Sequence, residues 1–262
     1  MPLTEVILIP PIPHRHTGHP AKLHHYLAQE LIKDYSEKGA LVLDPFAGIG
    51  TVPREALGLG RLGVGIEIEE AFCVKSQSLG TPLIRGDSKE KILGYKDVDL
   101  ILTSPPYGEA IGRAGDRALE KTIAAKERYE MKRFGRTQSR HSCYGVSEGN
   151  LGSLPFHRKA AESFTSEFPK FVESFVSVLK PGGHLVWVVK DQRLGRKRLG
   201  SVDMFNLVRS ASEKYGMVYE GRRVAVLPDN LTTQWQRVNA SRWNIPIPNA
   251  EHICVMRKDI GV

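Results

Sequence analysis

The chain has 262 residues, 41% of them hydrophobic, and a formal net charge of +8. A chain of this length can bury a full hydrophobic core, either as one large domain or as a domain with one insertion. It needs no disulfide or structural metal for stability. Its three cysteines, Cys73, Cys143 and Cys254, are far apart in the sequence, which argues against a disulfide framework and against a zinc site. The positive charge favours a polyanionic partner.

Apolar runs in this sequence are short. The N-terminal EVILIPPIP is interrupted by prolines after a few residues, and no other run reaches membrane-spanning length. We therefore expect neither a signal peptide nor a membrane helix, and we expect the protein in the cytoplasm with no membrane partner.

The first hundred residues alternate between helical patterns and short apolar strands bounded by glycine, which predicts βαβ units and a mainly parallel sheet. The leading element is a helix over residues 20–37, with leucines at helical spacing and Pro20 in its first turn. Four candidate strands follow, at residues 40–44, 62–67, 82–87 and 99–104.

The alternation stops at Gly108. Residues 108–159 are polar and contain eleven Lys or Arg against six Asp or Glu, a net charge of +5. Within them, residues 117–134 predict a helix and the following residues a glycine-rich loop. Strands resume at residues 183–189, and residues 222–228 and 252–258 predict an antiparallel hairpin that closes the sheet edge. We expect a single domain over residues 1–262, with 108–159 as a basic substrate-recognition insertion.

A small-molecule site is indicated where the first strand meets its helix, in DPFAGIGTV. Gly48 and Gly50 allow a tight turn and a close backbone approach to a ligand. The spacing is not the dinucleotide fingerprint, because Pro53 stands where the third glycine would be, and a phosphate-binding lysine is missing. A nucleotide without phosphate fits this turn better.

Two further strand ends carry carboxylates. Glu67 can accept both hydroxyls of a ribose, and Asp87 can meet an adenine amino group. Together with the glycine turn, they predict a site for an adenosine with a methionine tail, S-adenosylmethionine. The alternative is a glycine-rich turn with carboxylates that only cap helices.

Four motifs, HPAKLH, DPFAGIGT, GIEIE and TSPPY, occur in this order between residues 13 and 107. In this respect the chain resembles the amino-methyltransferases, specifically the DNA cytosine-N4 and adenine-N6 methyltransferase family. The resemblance implies a Rossmann-like methyltransferase fold with a mostly parallel seven-stranded sheet, an antiparallel edge hairpin and S-adenosylmethionine as cofactor. The residues expected to bind the cofactor are His19, Lys22, Asp44, Pro45, Phe46, Gly48, Gly50, Thr51, Glu67 and Asp87. The histidines near the first motif have no convergent ligand spacing, so we expect no metal.

The TSPPY motif explains how such an enzyme activates a poor nucleophile. The lone pair of an exocyclic amine is delocalised into the base ring, and two hydrogen-bond acceptors can hold both amino hydrogens out of the ring plane. The resemblance assigns these roles to the Ser104 side chain and the Pro105 carbonyl, and base stacking to Tyr107. Pro105 and Pro106 stiffen the backbone, so that the acceptors are aimed in advance.

Ser104 also bears on the target base. A serine here is commonest among the cytosine-N4 enzymes, so the resemblance favours cytosine N4 and leaves adenine N6 open. Methylation at cytosine C5 is disfavoured because Phe72, Ser142 and Ile253, rather than proline, precede the three cysteines. Methylation of protein glutamine uses asparagine in place of Ser104.

Basic segments flank the expected site. The first is the insertion, and the second is KDQRLGRKR at residues 190–198, which should leave the sheet on the same side. The last connection mixes aromatic and basic residues that either stack on bases or cover the core. The residues expected to contact nucleic acid are Arg133, Arg136, Arg140, Arg193, Arg196, Lys197, Arg198, Trp235 and Trp243.

The polymer is the least determined part of the prediction. DNA comes first by family, but an insertion of about fifty residues is small for a target-recognition region. A ribosomal RNA cytidine N4 methyltransferase is the alternative, because folded RNA can expose its target base without the cost of flipping. A third possibility is a non-catalytic nucleic-acid-binding module. The sequence does not indicate an oligomeric state.

Overall fold

The computed structural model describes residues 5–10, 23–106, 147–154, 164–190, 192–193, 201–226 and 250–260. Within these ranges the chain forms an α/β structure. Its strands are β1 (Glu5–Leu8), β2 (Leu41–Asp44), β3 (Leu62–Glu67), β4 (Ile84–Arg85), β5 (Val98–Thr103), β6 (Leu179–Val189), β7 (Gln192–Arg193), β8 (Ser201–Val202), β9 (Met217–Val226) and β10 (Ala250–Lys258). Its α-helices are α1 (His25–Tyr35), α2 (Thr51–Gly58), α3 (Glu70–Ser78), α4 (Ser88–Lys91), α5 (Phe164–Val178) and α6 (Met204–Lys214).

The main sheet has the order β1-β9-β10-β6-β5-β2-β3-β4. Strands β6, β5, β2, β3 and β4 pair in parallel, whereas β10 is antiparallel to both of its neighbours, β6 and β9. The predicted Rossmann-like, mostly parallel sheet is therefore confirmed. So is the antiparallel pairing of the last two long strands.

The prediction of seven strands needs a correction at one edge. Strand β1 pairs in parallel with β9, with Glu5 opposite Arg223 and Leu8 opposite Val226. The described residues thus contribute eight strands to this sheet, and the β9–β10 hairpin does not form its edge. Ile7 and Ile9 are buried against the core on the side of α1. The prolines that follow end this strand early, which is why its apolar run is too short to be recognised from the sequence.

Both faces of the sheet are covered. Neighbouring residues of one strand point to opposite faces, and in β5 Leu100 belongs to the core beneath α1 and α2, while Ile101 belongs to the core beneath α5 and α6. The second core includes Phe168, Phe175 and Trp187, all fully buried. This two-sided burial explains the continuous apolar runs of the parallel strands.

Some element boundaries differ from the sequence-based prediction. Helix α1 begins at His25, not near Pro20; His24 caps it and accepts a hydrogen bond from the Tyr26 amide at 3.3 Å. Strand β4 covers two residues rather than six, because Asp87 already caps α4. The run after β6 forms a small antiparallel ribbon in which Arg193 lies opposite Ser201. The predicted helix at residues 117–134 lies outside the described residues.

None of the helices in the described ranges is long and apolar enough to cross a bilayer.

Candidate cofactor and methyl-transfer site

The site lies where the strand order reverses. From β2 the chain continues outward to β3 and β4 and then returns to β5 on the other side of β2. Ligands of open α/β sheets bind at such a switch point, beyond the carboxyl ends of the strands. Here the ends of β2 and β5 are joined directly, because the Thr103 hydroxyl donates a hydrogen bond to Asp44 Oδ1 at 2.6 Å. Because Ser104 follows Thr103 in the chain, Asp44 and Ser104 lie close together at the carboxyl ends of β2 and β5.

The glycine turn has the conformation expected from the sequence. Gly48 and Gly50 have φ values of 53° and 74°, in the left-handed region that favours glycine. Gly50 is also the N-cap of α2, so the turn leads straight into the helix. A side chain at Gly50 would meet the Ser76 hydroxyl at 2.4 Å. The turn thus depends on glycine for both its conformation and its close packing.

Glu67 holds the glycine turn in place. Its Oε2 accepts a hydrogen bond from the Gly48 amide at 2.8 Å, and its Oε1 accepts one from the Glu69 amide at 2.9 Å. The first bond links the end of β3 to the turn after β2. Each oxygen has a second lone pair with which it can accept a ligand hydroxyl. The predicted ribose contact of Glu67 is compatible with this structural role.

Two of the carboxyl groups in the site lie in an environment that disfavours their charge. Burial raises the pKa of Asp44 to about 7, although the hydrogen bonds from Thr103 and from the Phe46 amide act in the opposite direction. Burial likewise raises the pKa of Glu67 to about 7, against the lowering effect of its two backbone hydrogen bonds. A cationic ligand would favour the charged form of both groups.

Asp87 caps a helix and also lines the cleft. Its Oδ1 accepts a hydrogen bond from the Lys89 amide at 2.9 Å and caps α4. Its Oδ2 lies 3.5 Å from Lys89 Nζ. The same residue lines the cleft described next, so capping does not remove it from the site.

An open cleft of about 830 Å³, counted out to solvent, joins these groups. Its described lining contains three carboxylates, Asp44, Glu67 and Asp87, and no lysine or arginine. Such a set of acceptors fits a ligand that carries hydroxyls, an amine and positive charge but no phosphate. The residue types present therefore fit S-adenosylmethionine.

The predicted catalytic motif opens into the same cleft. Ser104, Pro105 and Pro106 line it together with Pro45, Phe46, Gly48 and Thr51. Ser104 and Pro106 are half-buried and Pro105 is buried. The Phe46 ring packs on Phe171 at 5.4 Å and on Phe175 at 5.7 Å, which ties the turn to α5.

Sequence reasoning missed one wall of the cleft. The cleft is also lined by Gly149, Asn150 and Leu151, which lie in the predicted glycine-rich loop of the insertion. They are attached through Glu69, two residues beyond Glu67 in GIEIE. The repeated acid in this motif was the available signal, but its partners are about 80 residues away.

Several predicted site residues lie outside the described residues: His19, Lys22, Tyr107, Arg133, Arg136, Arg140, Arg196, Lys197, Arg198, Trp235 and Trp243. Of Arg193, the structure describes the backbone in β7. Because β6 runs parallel to β5, Lys190 leaves the sheet at the edge where Ser104 lies. Lys190 pairs with Glu251 at 3.1 Å. The described residues contain no group of three His, Cys, Asp or Glu side chains arranged to hold a metal ion.

Residues 6–78 match the family model described as DNA methylase, the N6/N4 methyltransferase family. The chain is also 41% identical over 56 residues to the Type II methyltransferase M.ScaI of Streptomyces caespitosus. The resemblance to the DNA amino-methyltransferases is confirmed. The match to M.ScaI covers 21% of this chain, and the chain spans about a fifth (18%) of the length of that curated relative. The match to the family model includes the glycine turn.

Solved structures were also compared with this fold. A SAM-dependent methyltransferase from Methanosarcina mazei matches 88% of this chain and 98% of its own, with a TM-score of 0.50 and 10% sequence identity. TrmN from Thermus thermophilus matches 90% of this chain and 49% of its own, with a TM-score of 0.48 and 16% identity. At 10% identity the likeness to the first of these structures concerns the fold.

Proposed function

We propose that this protein transfers a methyl group from S-adenosylmethionine to an exocyclic amino group of a nucleic-acid base, with cytosine N4 in DNA as the substrate. One observation carries the proposal: the acidic glycine turn and Ser104–Pro105–Pro106 open into one cleft, joined by the bond from Thr103 to Asp44. The family match supports an amino-methyltransferase. Ser104 favours cytosine within that family.

The cofactor would be held by the carboxylate side of the cleft. Bound S-adenosylmethionine supplies a methyl group that its sulfonium makes electrophilic. Asp44 and Glu67 would accept its amine and hydroxyl donors, and Asp87 its adenine amino group. The three carboxylates of the described lining would favour a ligand with positive charge over a phosphorylated nucleotide.

The chain activates the amine by orientation. The Ser104 hydroxyl oxygen and the Pro105 carbonyl would each accept a hydrogen bond from one amino N–H. These two bonds would hold the amino hydrogens out of the ring plane, which takes the nitrogen lone pair out of conjugation with the ring. Proline restricts φ and disfavours the helical region for the preceding residue, so the acceptors need little reorganisation. Positioning of two reactants can lower a barrier by several kcal/mol without a covalent intermediate.

The substrate would be held by the basic segments. Residues 108–159 come after β5 in the chain, and residues 190–198 come after β6. Both strands end at the edge of the sheet where the cleft lies, and the cations of the two segments suit a phosphate backbone. Tyr107 directly continues the Ser104–Pro106 backbone and would provide the stacking surface for the extracted base.

An assay of methyl transfer tests this proposal. The protein is incubated with labelled cofactor and either unmethylated DNA or ribosomal RNA, and the modified nucleosides are identified by mass spectrometry. We expect N4-methyldeoxycytidine from DNA, and no product from the Asp44→Ala variant, which should not bind the cofactor. If N4-methylcytidine formed in RNA instead, the substrate would be ribosomal RNA and not DNA. If N6-methyladenine formed, the target base would be adenine and not cytosine. Calorimetry with the wild type separates a non-catalytic binding module, which would show no cofactor binding.

A further inference from the structure

The side chain of Glu69 joins the end of β3 to a distant part of the chain. Its Oε1 accepts hydrogen bonds from the Ser147 amide at 2.9 Å and from Asn150 Nδ2 at 2.7 Å, and its Oε2 accepts one from the Ser147 hydroxyl at 3.0 Å. Glu69 and Asn150 are buried. We call residues 147–151 the strap. Three donors from the strap thus converge on one buried carboxylate.

The strap lies over the part of the cleft between β3 and β4. A Cβ atom added to Gly149 would lie 3.4 Å from Asp87 Oδ2 and 3.7 Å from Ile68 Cδ1, so the strap backbone passes close to both residues. Gly149 has a φ of 80°, a conformation that favours glycine. Leu151 is buried in the core beneath α5, which holds the far end of the strap.

Bonds within the strap shape it but do not attach it to the sheet. The Asn150 side chain accepts a hydrogen bond from the Gly152 amide at 2.8 Å, and the Asn150 amide donates to the Ser147 carbonyl at 3.1 Å. Among the described bonds, those to Glu69 attach the Ser147 end to the residues that follow β3. Hydrogen bonds to a carboxylate are about twice as strong as neutral ones, and burial strengthens them further.

We infer that Glu69 is a positioning residue that holds the strap as a preformed wall of the cofactor cleft. This inference rests on the proposed function, because it takes the ligand of the cleft to be S-adenosylmethionine. A wall that is ordered before binding spares the ligand the free energy of ordering it. Without the anchor, the binding-competent strap is populated only in part, and the apparent Kd rises in inverse proportion to that fraction.

Two substitutions at this position separate positioning from charge. Glu69→Ala removes all three acceptor contacts. Glu69→Gln keeps an oxygen for the Ser147 amide and Asn150 Nδ2, and its Nε2 can donate to the Ser147 hydroxyl, which can also accept. Ser147→Ala is the milder change on the strap side, because it removes one bond and leaves β3 intact.

Calorimetry with S-adenosylmethionine provides the first measurement. We expect Glu69→Ala, which loses all three bonds, to weaken binding about 10- to 100-fold, on the scale of hydrogen bonds to a charged group. Ser147→Ala keeps two of the three bonds and should weaken binding about threefold, and Glu69→Gln less than threefold. At saturating cofactor, kcat should stay within about twofold for all three variants. Equal weakening in Glu69→Gln and Glu69→Ala would overturn the inference, because charge rather than the strap would then be responsible.

Hydrogen exchange provides a readout that needs no ligand. In the ligand-free protein, peptides covering residues 147–154 should exchange faster in Glu69→Ala than in the wild type, and at the wild-type rate in Glu69→Gln. Unchanged exchange in Glu69→Ala would contradict the anchoring role. Absence of cofactor binding by the wild type would instead contradict the proposed function, while the exchange comparison would still report on the anchor.

Discussion

At the scale of single residues, Asp44 is the point where burial and hydrogen bonding oppose each other most directly. Its Oδ1 accepts both the Phe46 amide at 3.0 Å and the Thr103 hydroxyl at 2.6 Å, yet burial raises the pKa of Asp44 to about 7. Burial therefore outweighs two hydrogen bonds. One pKa unit corresponds to about 1.4 kcal/mol, so the ionised Asp44 carboxylate lowers the stability of the folded protein, and a cationic ligand would offset part of this cost.

Replacement of Asp44 by Asn should reverse this cost. Between about pH 4 and pH 7 the unfolded chain releases the Asp44 proton before the folded protein does, so this group lowers the free energy of unfolding as the pH rises through that window, with no further change above it. An asparagine keeps the shape and the acceptor oxygen but cannot ionise. We expect the Tm of Asp44→Asn, relative to the wild type, to rise by several degrees between pH 5 and pH 8, measured by thermal unfolding.

The same variant should lose function while it gains stability. At pH 8 we expect Asp44→Asn to bind S-adenosylmethionine at least tenfold more weakly, because the anionic acceptor is gone. Thr103→Val serves as a control, because it removes a hydrogen bond that lowers the pKa of Asp44. The fall in the free energy of unfolding with rising pH should therefore continue to a higher pH in Thr103→Val than in the wild type. An equal Tm difference between Asp44→Asn and the wild type at pH 5 and pH 8 would contradict the assignment of the pKa.

At the scale of elements, close packing between α2 and β3 holds the glycine turn. A Cβ atom on Gly63 would lie 2.2 Å from the Pro53 carbonyl oxygen, which is a backbone atom and cannot rotate away. A Cβ atom on Gly65 would lie 2.6 Å from Leu83 Cδ2 and 2.8 Å from Ala47 Cβ. Helix and strand can approach this closely only because β3 reads LGVGIE.

Gly63→Ala should therefore force α2 away from the sheet and destabilise the protein by about 1–3 kcal/mol, as overpacking does elsewhere. Chemical denaturation measures this change. The matched control is Gly58→Ala at the end of α2, where a Cβ atom meets nothing within 4 Å. Alanine there should be neutral or stabilising by up to about 1 kcal/mol. Similar losses in both variants would argue against close packing as the cause.

The elements also show how far the sequence alone carries the prediction. Strands β2, β3 and β5 were predicted to within one residue at each end, because they are apolar runs bounded by turn residues. Strand β4 was predicted too long, since Asp87 already caps the next helix. The carboxylates Asp44, Glu67 and Asp87 could be singled out because each lies at or just beyond the end of a strand. Glu69, Ser147 and Asn150 were not, because their partnership spans about 80 residues and leaves no local pattern.

At the scale of the whole molecule, charge is divided between two regions. The described cleft lining is acidic, whereas residues 108–159 contribute +5 to the net charge of +8. A small cationic ligand and a polyanion would thus be attracted to different parts of the same protein. The basic run after β6 leaves the sheet at the edge of the cleft, because β6 is parallel to β5.

This division predicts the salt dependence of nucleic-acid binding. Reversal of Lys197 and Arg198 to glutamate should weaken binding and reduce the slope of log K against log salt by about two, one for each lost phosphate contact. Fluorescence anisotropy at several salt concentrations measures the slope. The control reverses Lys38 and Lys96, which are exposed and precede β2 and β5 at the opposite edge. A slope that falls equally in both variants would show that net charge alone is responsible.

The outermost ladder of the sheet has a consequence for biosynthesis. Glu5 and Arg223, which face each other in β1 and β9 and form an ion pair, are 218 residues apart. During translation β1 leaves the ribosome long before its partner β9 exists, so Ile7 and Ile9 lack part of their packing meanwhile. The β1–β9 ladder is complete only after residue 226 has emerged. A nascent chain arrested earlier would therefore expose apolar side chains beside the unpaired β1 strand, which chaperones could bind.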